Sequence, residues 1–107
     1  MPRRKRPRLI SALPETTELL PQGRNLKGET LMSFEEFEAI KLSDYQGLEQ
    51  AGAAAHMQVS RQTFGRILKL ARFKTSQALV EGKRLIITGG CYTMRGRGQQ
   101  RRRCGNK

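Results

Sequence analysis

QAGAAAHMQVSRQTFGRILK, residues 50–69, is the stretch on which the reading of this chain turns. Small Ala53 and Ala54 let two helices cross closely, and Met57, Val59, Phe64 and Ile67 are spaced to fill the wedge between them. Ser60 stands where the second helix needs an N-cap. After it come Arg61, Gln62, Thr63, Arg66 and Lys69, residue types that hydrogen-bond to base edges and phosphates. Two helices joined by Met57-Gln58-Val59-Ser60, with donors on the second, predict a helix-turn-helix.

The second helix of the pair is predicted to run from Arg61 to about Glu81, with Gly82 as its C-terminal stop. Its apolar stripe is Phe64, Ile67, Leu68, Ala71, Ala78 and Leu79. At about 100° per residue, the centre of that stripe lies opposite Gln62, Arg66, Lys69 and Phe73. Phe73 is the anomaly on this polar side. It reads as a contact with the loop of residues 9–30 or, more sharply, with a second copy or a partner. Gly65 reads as a missing side chain that lets the helix approach a groove. The helix before the turn covers about residues 48–56, Ala-rich, with Gly52 as its weak point.

Upstream, Ser33 and Glu36 have capping-box spacing, and Glu35, Glu36 and Glu38 suit the positive end of a helix dipole. Phe34, Phe37, Ile40 and Leu42 supply the buried side of that helix, which should run to about Tyr45 and stop before Gly47. Residues 83–88, KRLIIT, predict one short strand, and the 9–20 segment is its available partner. Residues 9–30 contain Pro14, Pro21, Gly23 and Gly28, show no sustained period, and read as an ordered loop with a short extended piece at most. The fold class expected is therefore mainly α: a small helical domain over residues 9–94, with at most one short β pairing, between a basic N-terminal arm (1–8) and a disordered basic tail (95–107).

Charge is distributed unevenly along the 107 residues, whose formal net is +12. Residues 1–8 hold five Lys/Arg and residues 95–107 hold six, so the two arms carry most of the excess. Between them, residues 9–60 hold three Lys/Arg against eight Asp/Glu, whereas residues 61–94 hold seven against one. Positive charge thus begins where the second helix of the motif begins, which points to a polyanionic partner. No segment is long and apolar enough to span a bilayer, and no basic amphipathic anchor is visible, so a membrane is not an expected partner. A cytoplasmic, nucleoid-associated location is expected. Cys91 and Cys104 would then stay reduced.

Enzyme chemistry finds little purchase. No nucleophile motif or phosphate-binding loop is present, and Glu35, Glu36 and Glu38 fit a first helical turn better than a catalytic pair. His56, the single histidine, sits where a cation suits the end of a helix. With Cys91 and Cys104 it makes no metal-ligand spacing, so neither metal nor cofactor is expected.

The function expected is sequence-specific binding of double-stranded DNA in transcriptional regulation, with the helix of about 61–81 in the major groove. Gln62 suits adenine, Arg61 or Arg66 suits guanine, and Ser60, Thr63 and Lys69 suit phosphate. Arg3, Arg4, Lys5 and Arg6 suit the minor groove or the backbone. Two alternatives stay open: an RNA- or ribosome-associated basic protein led by the tails, and a sigma-like adaptor whose partner is RNA polymerase. Homodimerisation is compatible with any of them.

The pieces EEFEAIKL (35–42), VSRQTFGRIL (59–68), ALVEGK (78–83) and the pair Gly89-Gly90, after the opening PRRKRPR (2–8), resemble the prokaryotic domain-of-unknown-function one-three-four family. The resemblance covers about residues 2–94. Members are regarded as DNA-binding proteins whose helix-turn-helix is similar to region four of the bacterial sigma factors. It implies a DNA-binding role in transcription and supplies no target. Two positions depart from the family pattern. Members usually carry Gly in the turn where this chain has Gln58, and more charge in the helix that here reads QAGAAAHM.

Overall fold

The computed structural model describes residues 7–22 and 28–94. Strand β1 (Arg8–Ile10) is followed by β2 (Glu18–Leu19) and β3 (Glu29–Met32). Helix α1 (Phe34–Ile40) continues into a wider π-helical turn (Lys41–Tyr45), then come α2 (Gln50–Met57) and α3 (Arg61–Glu81). Strands β4 (Arg84–Ile87) and β5 (Tyr92–Met94) complete the fold.

The helices form where local chemistry demands. Ser33 accepts the Glu36 amide at 3.2 Å while the Glu36 carboxylate accepts the Ser33 amide at 2.9 Å, a complete capping box. Past Ile40 the helix widens, and the Gln46 amide reaches back five residues to the Lys41 carbonyl at 2.8 Å. Helix α2 begins at Gln50, two residues later than expected, and ends at Gln58 in the left-handed region, φ 57° and ψ 45°. Ser60 caps α3 by accepting the Thr63 amide at 3.0 Å. Gly82, at φ 70°, closes α3 as a left-handed C-terminal residue.

Among the described residues, two clusters make the core. Ala39, Leu42, Ala53, Ala54, Met57, Phe64 and Leu68 pack α1, α2 and α3 together, with Val59 and Ile67 half-buried against them. The wedge read from residues 50–69 is therefore filled as expected. Met32, Ala71, Leu85 and Ile87 form the second cluster, where α3 lies on the sheet.

The β structure exceeds the single pairing expected. Strand β4 lies between β2, antiparallel, and β3, parallel, and β1 pairs in parallel with β5. The 9–20 segment does supply a partner, through Glu18 and Leu19, but β3 provides the longer ladder. The described part of residues 9–30 is thus more structured than a loop: Ile10 is buried at the end of β1, Glu18 and Leu19 form β2, and Glu29 and Thr30 open β3. Arg8 belongs to β1 and not to a free arm. Leu79, placed in the buried stripe, is 78% exposed, because α3 outruns the short sheet and only Ala78 packs there. Cys91 is buried and disulfide-bonded, in place of the reduced thiol expected, and its partner lies outside the described residues. Among the described residues, no helix is long and apolar enough to cross a membrane.

Candidate functional site

The capped N-terminal half of α3 carries the candidate site. Packing fixes its orientation: Phe64, Leu68 and Ala71 are buried, so residues on the opposite side face solvent. Arg61, Gln62, Arg66 and Lys69 are all exposed there, and Phe73 continues the same face at 58% exposure. From Gln62 to Lys69 the face extends about 10 Å.

What separates these side chains from the other cations is the absence of a partner. Lys41 pairs with Glu38, Arg72 with Asp44, Lys74 with Glu36, Lys83 with Glu81, and Arg84 with Glu18 and Glu29. Arg61, Arg66 and Lys69 have no hydrogen bond or ion pair among the described residues. The acid-rich 9–60 and base-rich 61–94 segments therefore neutralise each other across the fold. Part of the charge step that pointed outward is used internally, and what remains is concentrated on the first half of α3.

The internal pairs hold that face in position. Arg72 makes a two-pronged contact with Asp44, Nε to Oδ2 at 3.1 Å and Nη2 to Oδ1 at 2.7 Å, tying α3 to the π-helical turn. The guanidinium lowers the Asp44 carboxyl below its ordinary range, and the carboxylate raises Arg72 in return. The Lys74 ammonium donates to Glu36 at 2.8 Å, locking α3 to the cap of α1.

Glu35, Glu36 and Glu38 go beyond the dipole role read for them; each is buried and each fastens a different segment. Glu35 accepts the Cys91 amide at 2.9 Å, Glu36 receives Lys74, and Glu38 accepts both the amide and the hydroxyl of Ser11, at 3.2 and 2.8 Å. Burial pushes the Glu35 carboxyl up; the backbone amides of Glu35 and Cys91 and the charge of Arg8 pull it down. The anchoring role was missed. Only for Glu36 was there a signal, the base-rich segment that supplies Lys74; the backbone and hydroxyl partners of Glu35 and Glu38 leave no trace in the charge pattern.

Ser60 and Thr63, read as phosphate ligands, are engaged with each other: the Ser60 hydroxyl donates to Thr63 Oγ1 at 3.0 Å besides capping the helix. Gly65 does not open the exposed face. A β-carbon there would lie 3.6 Å from Gln50 Oε1, against the first turn of α2. Arg3, Arg4, Lys5 and Arg6 lie outside the described residues. What the structure brings together on one exposed face is Arg61, Arg66 and Lys69, which only donate, and Gln62, whose carboxamide both donates and accepts. Two guanidiniums, an ammonium and a carboxamide at one-turn spacing suit an extended, anionic ligand with polar edges.

A family described as "Protein of unknown function DUF134" matches residues 1–95. A UPF0251 protein of Moorella thermoacetica is 44% identical over 109 aligned residues, covering all of this chain and 73% of that protein. One from Dehalococcoides mccartyi is 45% identical over 96, covering 88% of this chain and 82% of its own length. One from Halothermothrix orenii is 43% identical over 110, covering 100% and 81%. No solved structure matches.

Proposed function

We propose that this chain, which belongs to the DUF134 family, is a sequence-specific, non-catalytic DNA-binding protein that acts in transcription. In this reading α2 and α3 are the two helices of a helix-turn-helix, and α3 is the helix presented to the major groove. One observation carries it. Among the described residues, the Lys/Arg side chains that no partner engages, Arg61, Arg66 and Lys69, share one exposed helical face with Gln62. Arginine is the side chain that reads guanine through two hydrogen bonds, and Gln reads adenine. Lys69 and Arg61 serve the backbone on either side. The Asp44–Arg72 and Glu36–Lys74 pairs support the reading by tying α3 to the π-helical turn and to α1.

Selection on random duplex DNA followed by binding measurements tests it. An enriched motif is the expected result. Arg66→Ala should then weaken cognate binding by about 1–3 kcal/mol and relax the preference at one base position. Equal losses on cognate and random duplex would make Arg66 a phosphate ligand. If no motif is enriched and binding disappears on removal of residues 95–107, the protein belongs with RNA-associated basic proteins instead.

A further inference from the structure

Cys91 carries a covalent link that the DNA reading does not use. The residue is buried, and its sulfur is in a disulfide. The sequence has two cysteines, so the partner sulfur is that of Cys104. Twelve residues lie between them, YTMRGRGQQRRR, with five arginines and no acid. The main chain at Cys91 is held in place without the link. Its amide donates to the Glu35 carboxylate at 2.9 Å, and its carbonyl accepts the Arg8 amide at 3.1 Å. Tyr92 to Met94 then pair with Arg8 to Ile10. Breaking the disulfide therefore leaves the body of the fold standing, and the consequence falls on the arginine-rich stretch that it closes.

We propose that Cys91 and Cys104 form a redox switch that sets how firmly the C-terminal arginines grip a DNA phosphate backbone. The proposal rests on the DNA reading for the identity of that polyanion. In the oxidised chain, all five arginines belong to one loop, residues 91–104, closed at Cys91. The Arg8 amide on the Cys91 carbonyl puts this closure beside the strand that follows residues 1–6, with their four Lys/Arg. Cations from both ends of the sequence are thus tied to one strand pair. Closing the loop restricts the chain before it binds, so less conformational freedom is lost on the duplex. Reduction removes that restriction. A small-molecule disulfide is the oxidant. The two protein thiols become one S–S bond, and the reagent's S–S bond is cleaved to two thiols, which take up the two protons; a dithiol reverses the exchange.

The test uses the full chain, treated with glutathione disulfide or with dithiothreitol, then alkylated in denaturant and weighed. Neither cysteine should be alkylated in the oxidised chain and both should be in the reduced one. Each form should have the mass of a single chain, and the two should share one circular dichroism spectrum before denaturation. Binding to duplex DNA at fixed salt should weaken about fivefold or more on reduction. Cys104→Ser should bind like the reduced chain in either buffer. An oxidised sample with both thiols free, or one that links two copies, overturns the proposal. So does loss of the folded spectrum on reduction, which would make the bond structural. Equal binding by the two forms overturns the switch and leaves the DNA reading intact, whereas binding by neither form overturns both.

Discussion

Two single residues carry backbone conformations that can be tested by exchange. Gln58 sits at φ 57°, the one described non-glycine residue in the left-handed region. That conformation crowds the β-carbon against the following carbonyl, at a cost of about 1 kcal/mol or somewhat more. Gln58→Gly removes the crowding but adds chain entropy to the unfolded state, so the net gain expected is about 0.5–1 kcal/mol in urea denaturation. Gly90 is the converse. At φ 110°, a β-carbon there would meet the Glu35 carboxylate and lie 2.7 Å from Ser33 Cβ. Ser33 is the N-cap of α1 and the Glu35 carboxylate is held by the Cys91 amide, so neither is free to retreat. Gly90→Ala should therefore destabilise by about 2 kcal/mol or more, measured in the same way. Gly65 lacks such a constraint, and its packing against Gln50 leaves room for a methyl group.

At the scale of elements, what was legible in the sequence depended on how local the determining chemistry is. Ser33 with Glu36, Ser60 with Thr63, and Gly82 lie within a few residues of the helix ends they set, so α1 and the full length of α3 could be read directly. Strands β1 and β5 could not. Each has three residues, too few to show alternation, and the pairing joins Arg8 to Tyr92 across nearly the whole chain. The exposed face of α3 was readable because helical periodicity places it; which of its cations are already neutralised was not, because Asp44 and Glu36 come from another element. The Asp44–Arg72 link has a pH signature. Asp44 is held below its ordinary 3.8, so its contribution is full above that unfolded value and falls away as pH drops through the lower folded one. Both partners are solvent-exposed, which keeps the effect modest. Asp44→Asn should lower stability at neutral pH. The gap in thermal unfolding between the two proteins should shrink as pH falls below 3.8 and close only beneath the lowered folded-state value; a gap that persists at still lower pH would mean that packing, not charge, links the turn to α3.

For the whole molecule, the proposed function asks two things of the charge distribution, affinity for phosphate and preference among bases. Internal pairing leaves Arg61, Arg66 and Lys69 as the outward cations of α3, too few to explain tight binding by themselves. Residues 1–6 and 95–107 hold ten Lys/Arg, without acids. If the arms bind phosphates and α3 reads bases, removing one should change the salt dependence and altering the other should change the preference. Each phosphate contact contributes about 0.9 to the slope of log K against log salt. Deleting residues 1–6 removes Arg3, Arg4, Lys5 and Arg6 and should lower that slope by roughly 3–4, with the selected motif unchanged. Arg66→Ala should lower it by at most about 1 and alter the motif at one position. Titrations at four salt concentrations on cognate and scrambled duplexes resolve the two effects. If the N-terminal deletion changes the motif while leaving the slope alone, the arm reads sequence and the division of labour between arm and helix is wrong.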